Sequence, residues 1–164
     1  MIEAAAAAVS VRVADASDAP TISALVIAST RQHILPEQPP AAADVLLAWM
    51  AADAIGARIA AGHRHHVAEV GSQIVGVIAT RDDSHVHLLF VDDAWRRRGI
   101  ATLLWQHALD ACRSNAQVAR ITVNSSAGAV AVSRRLGFAE TGPARCENGV
   151  MSTPMEFRIE DDAG

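Results

Sequence analysis

The sequence predicts a single α+β domain in which helices flank a β-sheet, and three observations support this fold class. The chain has 164 residues, enough for one domain with a core of its own. Residues 85–114 combine alternating apolar residues, a polar turn and an amphipathic helix. Upstream, Gly71-Ser72 separates two apolar runs, a pattern typical of a β-hairpin.

The composition is that of a globular protein and argues against several classes of partner. Apolar residues make up 51% of the chain and charged residues 20%, which is ordinary for such a protein. The net charge of −4 argues against nucleic acid or an anionic membrane as the main partner. Residues 1–8 lack a positive n-region, and no apolar run approaches the ~18 residues that span a bilayer. We therefore expect a cytoplasmic protein.

The two cysteines, Cys112 and Cys146, do not indicate a disulfide framework. They are too few for one, and neither lies in a C-x-x-C pair. Cys146 also lacks the accompanying His and Asn arrangement of a cysteine nucleophile. We expect Cys146 to be structural or incidental.

The first 40 residues predict a tail, a strand and a helix. Residues 1–9 are alanine-rich and predict a frayed tail, whereas residues 10–14 alternate as a short strand does. Residues 15–20 supply N-cap side chains and a proline for the first helical turn. We expect the helix to run to about His33, before the prolines of residues 36–40.

Residues 41–61 predict one or two further helices, because their apolar residues recur at helical spacing. Asp53 is the expected cap of the second helix. Trp49 and Met50 are expected to pack in the core, since such apolar stripes usually face inward. The alternative is that both side chains line a pocket.

Three histidines, His63, His65 and His66, precede the hairpin and raise the question of a metal site. Zinc sites need a defined ligand spacing and a second ligand pair, and neither is visible here. We therefore expect a polar loop leading into a strand, with no bound metal.

The most informative stretch covers residues 85–104. Apolar residues alternate over 86–90, as in a strand, and a helical stripe begins after Gly99. A helix N-terminus has unpaired N–H groups and a partial positive charge. Gly99 and Ala101 would let a phosphate approach these groups, and the arginines at 96–98 add charge. We therefore predict a pyrophosphate cradle, with a solvated basic turn as the alternative.

The C-terminal part alternates between strand and helix patterns. The predicted elements are a strand at 118–123, a helix at 127–136, and strands at about 139–145 and 152–159. Gly137 is the expected stop of the helix. Residues 147–149 predict the turn of the final hairpin.

Two motifs together resemble the GNAT superfamily of acyl-CoA-dependent N-acyltransferases. Arg96-x-x-Gly99-x-Ala101 after a strand is similar to its Q/R-x-x-G-x-G/A signature, and Leu136-Gly137-Phe138 is similar to its L-G-F helix end. The resemblance covers residues 10–159, between tails at 1–9 and 160–164. It implies a mostly antiparallel sheet of about seven strands, with strands four and five splayed and about four helices alongside.

Acetyl-CoA is the co-substrate that this resemblance implies. Its pantetheine arm would pair with backbone of the fourth strand, its pyrophosphate would bind amides of the cradle, and its other side would face the helix after the fifth strand. The residues that match these positions are Leu89, Phe90, Val91, Arg96, Arg97, Arg98, Gly99, Ile100, Ala101, Thr102, Asn124, Ser126, Ala129 and Arg134.

The resemblance also implies direct attack of an amine on the thioester. An ammonium cannot attack, so a base must take a proton. His85 and His87 are two apart on a strand and share a face, similar to a histidine pair of the arylalkylamine N-acetyltransferases. A neutral imidazole suits proton transfer near neutral pH, and strand histidines without a catalytic role are the alternative. The Val91 N–H would stabilise the developing oxyanion.

Ser133 stands where the family usually has a tyrosine acid, and the sequence contains no tyrosine. Serine is a much poorer acid, and it would reach the sulfur only through water. A second hypothesis is therefore an acyl-CoA-binding sensor or partner-binding module. The acceptor amine is left open among antibiotics, polyamines, arylalkylamines, amino acids and protein N-termini. Homodimers are common in the family.

Overall fold

The computed structural model describes residues 8–159, which form eight strands and five α-helices. In chain order these are β1 (Val9–Val13), α1 (Ala19–Ser29), α2 (Ala42–Trp49), α3 (Ala52–Ala60), β2 (Arg64–Val70), β3 (Gln73–Arg81), β4 (His85–Val91), α4 (Ile100–Arg113), β5 (Arg120–Ser125), α5 (Val130–Leu136), β6 (Ala139–Glu140), β7 (Arg145–Glu147) and β8 (Val150–Arg158). Within this part of the chain, no helix combines the length and apolarity that crossing a bilayer requires.

The strands form one sheet in the order β1-β2-β3-β4-β5-β8-β6, with β7 paired to β8. Every pairing is antiparallel except that of β4 with β5. This parallel pair joins only His85 to Thr122 and Val86 to Val123, and the two strands then separate. The expected mostly antiparallel sheet with splayed central strands is confirmed.

The predicted elements are present with shifted bounds. Residues 41–61 form two helices, and the segment after α5 forms three strands, which accounts for five helices and eight strands. The expectation that Asp53 caps α3 is wrong, because Ala51 takes the extended N-cap conformation and Asp53 lies inside the first turn. There its carboxylate complements the positive end of the helix dipole. The expected tails lie outside the described residues except for residues 8 and 9, and Val9 begins β1.

Helices cover both faces of the sheet and bury one core on each. The stripe of α4 packs with Trp105 against Phe138 and Phe157 on one face, where the three aromatic rings lie 4.9–5.7 Å apart by centroid. Helices α1–α3 cover the other face and bury Ile22 and Ile55 completely. After α1 the chain continues as a π-helical turn (Thr30–Ile34) and a 3₁₀ turn (Leu35–Glu37). These irregular turns lead toward the point where β4 and β5 separate.

Candidate active site

A cleft of about 960 Å³ opens where β4 and β5 diverge. Its wall combines the end of β4, the start of α4, the β5–α5 segment and the irregular turns after α1. Most residues that the sequence nominated lie on this wall: His87, Leu89, Phe90, Val91, Arg96, Arg97, Gly99, Ile100, Ala101, Thr102, Asn124, Ser126, Ala129 and Ser133. His85, Arg98 and Arg134 are not part of it.

The backbone of β4 turns hydrogen-bonding groups toward the cleft. Asp92 donates its N–H to the Val75 carbonyl at 2.8 Å, and the β3–β4 register continues this pairing toward Phe90 and Val77. In an antiparallel ladder, hydrogen-bonded pairs alternate with pairs whose N–H and C=O groups point away. The backbone N–H and C=O groups of Leu89 and Val91 are the ones that point away from β3. Since β5 has already separated, their backbone groups face the cleft.

The turn into α4 leaves open space at the helix N-terminus. Gly99 has a left-handed φ of 76° and precedes the first residue of α4. A Cβ built at Gly99 would meet no atom within 4 Å. The amides from Gly99 to Thr102 belong to the first turn, where N–H groups have no partner inside the helix. The cradle therefore offers unpaired donors beside an unobstructed space.

The three arginines of the turn have different surroundings. Arg96 pairs with Asp93 at 2.9 Å, while Arg98 stacks its guanidinium 4.7 Å from the Trp95 ring centroid. Arg97 also has a left-handed φ, of 64°, and makes none of the ion pairs found within residues 8–159. Arg97 is thus available to a ligand in the cleft, as is Arg135 of α5, which also lines it and makes none of these ion pairs.

The helix after β5 contributes small and polar side chains to the opposite wall. Asn124, Ser126 and Ala129 line the cleft, whereas the Arg134 guanidinium pairs with Glu140 at 2.5 Å and is half-exposed outside it. Ser133 is buried, and its hydroxyl lies 2.8 Å from that of Ser125.

The side chains of the two β4 histidines lie in different environments, and a β-bulge lies at the second of them. The β3–β4 register pairs Ala79 with Leu88 but Thr80 with Val86, so His87 is the extra residue of a bulge. His87 lines the cleft. His85 instead places its Nδ1 2.7 Å from the Thr122 hydroxyl.

His87 lies in a buried cluster of rings beneath the cleft. Its ring centroid is 5.3 Å from that of Trp49 and 5.5 Å from those of His63 and His65, in edge-on contacts. Neither ring nitrogen of His87 has a hydrogen-bond partner within residues 8–159. Burial, together with the smaller effects of His65 and the Arg58 charge, lowers the pKa of His87 to about 3. The His87 imidazole is therefore neutral at working pH.

The histidines before β3 face opposite sides of the sheet. His65 contacts His87, while His66 faces α4 and lies 6.1 Å from His107 by ring centroid. Within residues 8–159, no three His, Cys, Asp or Glu side chains are arranged to hold a metal ion.

Sequence reasoning did not find several residues of the far wall of the cleft. Glu37 is the carboxylate of this wall, and Gln38 makes two hydrogen bonds to the backbone of Met151, of 2.7 and 2.8 Å. Their segment lies in irregular turns without a motif that could have marked it. Trp49 and Met50 satisfy both interpretations, because they pack in the core and also line the cleft.

Three solved structures illustrate the likeness of this fold to known proteins. The PaiA N-acetyltransferase from Thermoplasma acidophilum, in complex with coenzyme A, matches with a TM-score of 0.78 at 10% identity over 93% of this chain and 99% of that one. A GCN5-related N-acetyltransferase from Rhodopseudomonas palustris gives 0.76 at 19% identity over 92% and 95%. YncA from Salmonella typhimurium, with its cofactor acetyl-CoA, gives 0.65 at 19% identity over 96% and 97%.

Sequence comparison identifies the family directly. No curated protein matches the chain significantly. Residues 26–159, most of the chain, match the family model described as an acetyltransferase (GNAT) domain. The chain therefore belongs to the GNAT acetyltransferase family.

Proposed function

We propose that this protein transfers an acetyl group from acetyl-CoA to an amine. The observation that carries the proposal is one continuous cleft that joins the free backbone edge of β4 to the open N-terminus of α4. The amides from Gly99 to Thr102 would bind the pyrophosphate, with Arg97 adding charge. Leu89 and Val91 would pair with the amide groups of the pantetheine arm. Solved relatives bound to coenzyme A and acetyl-CoA support this assignment.

We assign the general base to His87 in preference to His85. His87 lines the cleft, whereas His85 lies outside it and has one ring nitrogen at the Thr122 hydroxyl. Once the ammonium has lost a proton to solvent, the neutral amine nitrogen forms a bond to the thioester carbon and the carbon–sulfur bond breaks. The His87 lone pair accepts one of the two remaining nitrogen protons, and coenzyme A leaves as a thiolate. The Val91 N–H would donate to the thioester oxygen as it becomes negative.

The wall around His87 favours an amine attached to an apolar group. Trp49, Met50 and Phe90 present apolar surface there, and Glu37 supplies a carboxylate. An aromatic or aliphatic amine would bury its apolar part against these side chains, and its ammonium would be attracted to Glu37 before it loses a proton.

The decisive experiment measures thiol release from acetyl-CoA with a panel of arylalkylamines, alkylamines, polyamines, aminoglycosides, amino acids and peptides. Calorimetric binding of acetyl-CoA is measured in parallel. We expect release with one class of amine, and a loss of roughly 100-fold or more in kcat for His87→Ala with unchanged acetyl-CoA affinity. His85→Ala is the matched variant and should retain more activity. Equal kcat for His87→Ala and the parent protein would contradict the assignment.

A second candidate function, acyl-CoA sensing without catalysis, is favoured by Ser133. The hydroxyl that replaces the family's usual acid is buried and lies against Ser125. Tight acetyl-CoA binding without thiol release for any amine would favour this candidate. Absence of binding would contradict both.

A further inference from the structure

A group of buried nitrogens without hydrogen-bond partners surrounds His87. Within residues 8–159, the unpartnered atoms include Nε2 of His65, Nδ1 of His63, Nε of Arg58 and both ring nitrogens of His87. His65 is only 1% exposed. Buried polar groups in native proteins are almost always satisfied, so we expect these nitrogens to bond to one another or to water.

One hydrogen bond fixes the protonation pattern of the His65 ring. Its Nδ1 lies 2.9 Å from the backbone carbonyl of His63. A carbonyl oxygen only accepts, so His65 Nδ1 carries the proton. Burial lowers the pKa of His65, and its ring is neutral. Its Nε2 therefore holds a lone pair, which has no hydrogen-bond partner within residues 8–159.

That lone pair has a suitable donor nearby, since the centroid of the His87 ring lies 5.5 Å away. A neutral imidazole has one N–H and one lone pair, and the partner of the first determines where the second lies. A hydrogen bond from His87 to His65, made directly after a ring rotation or through one water molecule, would fix the His87 tautomer. The other ring nitrogen would then be the base.

We propose that His65 is a positioning residue that holds His87 in the tautomer required for proton abstraction. This inference rests on the proposed function, because it assigns His87 as the base. When His87 accepts the amine proton, its other N–H can pass a proton to His65 or to the half-buried His63, from which it leaves to solvent. His87 is then neutral with its proton on the cleft side. That proton goes to the departing thiolate of coenzyme A, and the nitrogen facing His65 takes one back from solvent through His63, which restores the starting tautomer.

The charges around this cluster support passing the proton outward. Arg58 of α3 faces the rings, with its guanidinium 4.0 Å from the Trp49 ring centroid, and His85 of β4 adds a further titratable group. None of the groups that shift the pKa of His87 is a carboxylate. An imidazolium held on His87 would therefore be unfavourable, and transfer toward His63 removes it.

The test compares His65→Phe and His65→Gln with His66→Phe. The Gln carbonyl can accept a hydrogen bond near the position of Nε2, whereas Phe cannot. His66 is a matched control because it is the adjacent buried histidine of β2 and faces α4 instead. We expect His65→Phe to lower kcat about tenfold or more without changing the KM for acetyl-CoA, His65→Gln to restore most of the rate, and His66→Phe to leave it within about twofold of the parent value.

A second measurement needs no acceptor amine. Long-range ¹H–¹⁵N spectra of the histidine rings report which nitrogen is protonated, and thermal denaturation shows that each variant is folded. We expect one His87 tautomer in the parent protein and in His65→Gln, and a mixed or reversed one in His65→Phe. An unchanged His87 tautomer in folded His65→Phe overturns the proposal, and so do equal losses of kcat in His65→Phe and His66→Phe. A fixed tautomer without acetyl transfer to any amine would instead count against the proposed function.

Discussion

The hydroxyl oxygens of Ser133 and Ser125 lie 2.8 Å apart in a buried contact between α5 and β5. Each hydroxyl has one proton, so one of the two groups donates to the other. This contact engages the residue that stands at the position of the family's tyrosine. The structure thus gives Ser133 a packing role that is independent of acid chemistry.

We predict that Ser133→Ala slows acetyl transfer far less than the roughly 100-fold that a positioned general acid contributes. It should cost on the order of 1 kcal/mol of unfolding free energy, because the partner hydroxyl loses its hydrogen bond. Kinetics and urea denaturation check the two values. Ser125→Ala removes the same bond from the other side and should match it. A 100-fold loss of kcat confined to Ser133→Ala would restore an acid role.

Gly99→Ala is expected to weaken acetyl-CoA binding in addition to straining the backbone. The left-handed φ of 76° costs alanine about 1 kcal/mol, and the added methyl group would enter the space that we propose for the phosphates. We expect the Kd of acetyl-CoA, measured by calorimetry, to rise about tenfold, which corresponds to about 1.4 kcal/mol.

Gly71→Ala is the control for this prediction. Gly71 has a φ of 60°, also meets no atom within 4 Å of a built Cβ, and lies in the β2–β3 turn away from the cleft. It should lose similar stability and keep the parent Kd. Equal weakening of binding in both variants would remove the argument for the cradle.

Gly137→Ala is predicted to destabilise the fold more than either of these changes. Gly137 ends α5 with a φ of 108°, and a Cβ there would lie 2.8 Å from the Phe157 ring. Strain and overpacking together should cost about 2–4 kcal/mol. Gly62→Ala, at a φ of 96° with open space, tests strain alone. Similar denaturation midpoints for the two variants would contradict the prediction.

Stability should fall as the pH is lowered through the range of the buried histidines. Burial lowers the pKa of His66 and His85 to about 4 and that of His87 to about 3, from an ordinary 6.5. The unfolded chain binds these protons first, so stability is complete above about pH 6.5 and is lost below it. Between about pH 6.5 and its pKa in the folded protein, each such histidine changes the free energy of unfolding by about 1.4 kcal/mol per pH unit.

Urea denaturation between pH 7.5 and pH 4.5 measures this slope. The Asp18 carboxylate does not interfere, because its hydrogen bond to Arg12 lowers its pKa below 3.8 and its effect lies at lower pH. His87→Phe should reduce the slope. A stability that stays constant across this pH range would show that these rings take up protons in the folded protein as they do in the unfolded chain.

The features that sequence alone could predict depend on local patterns. Gly99 and Ala101 lie at the start of an amphipathic helix after a strand, and their spacing marks that junction without any knowledge of the fold. Gly137 likewise ends its helix in the left-handed conformation that its position predicts. The resemblance to the family rested on these motifs, and both the family and the splayed sheet that the resemblance implied are confirmed.

The difference between His85 and His87 was not predictable in this way. The period-two pattern places both on one face, but the bulge at His87 depends on the register between β4 and β3. Register arises from pairing across the sheet, which the single-strand pattern does not contain. The contact between His87 and His65 has the same origin, because it joins strands that are separated in sequence.

The two hydrogen bonds between Gln38 and Met151 have a consequence for engineering and evolution. They join the turns that follow α1 to β8, across 113 positions of sequence. A chimaera that imports the first segment from a relative without glutamine at position 38 would leave the Met151 amide and carbonyl without their partner. Both bonds reach backbone atoms of residue 151, which any residue other than proline supplies. Position 38 therefore carries the constraint, and an exchanged segment should keep there a side chain that both donates and accepts.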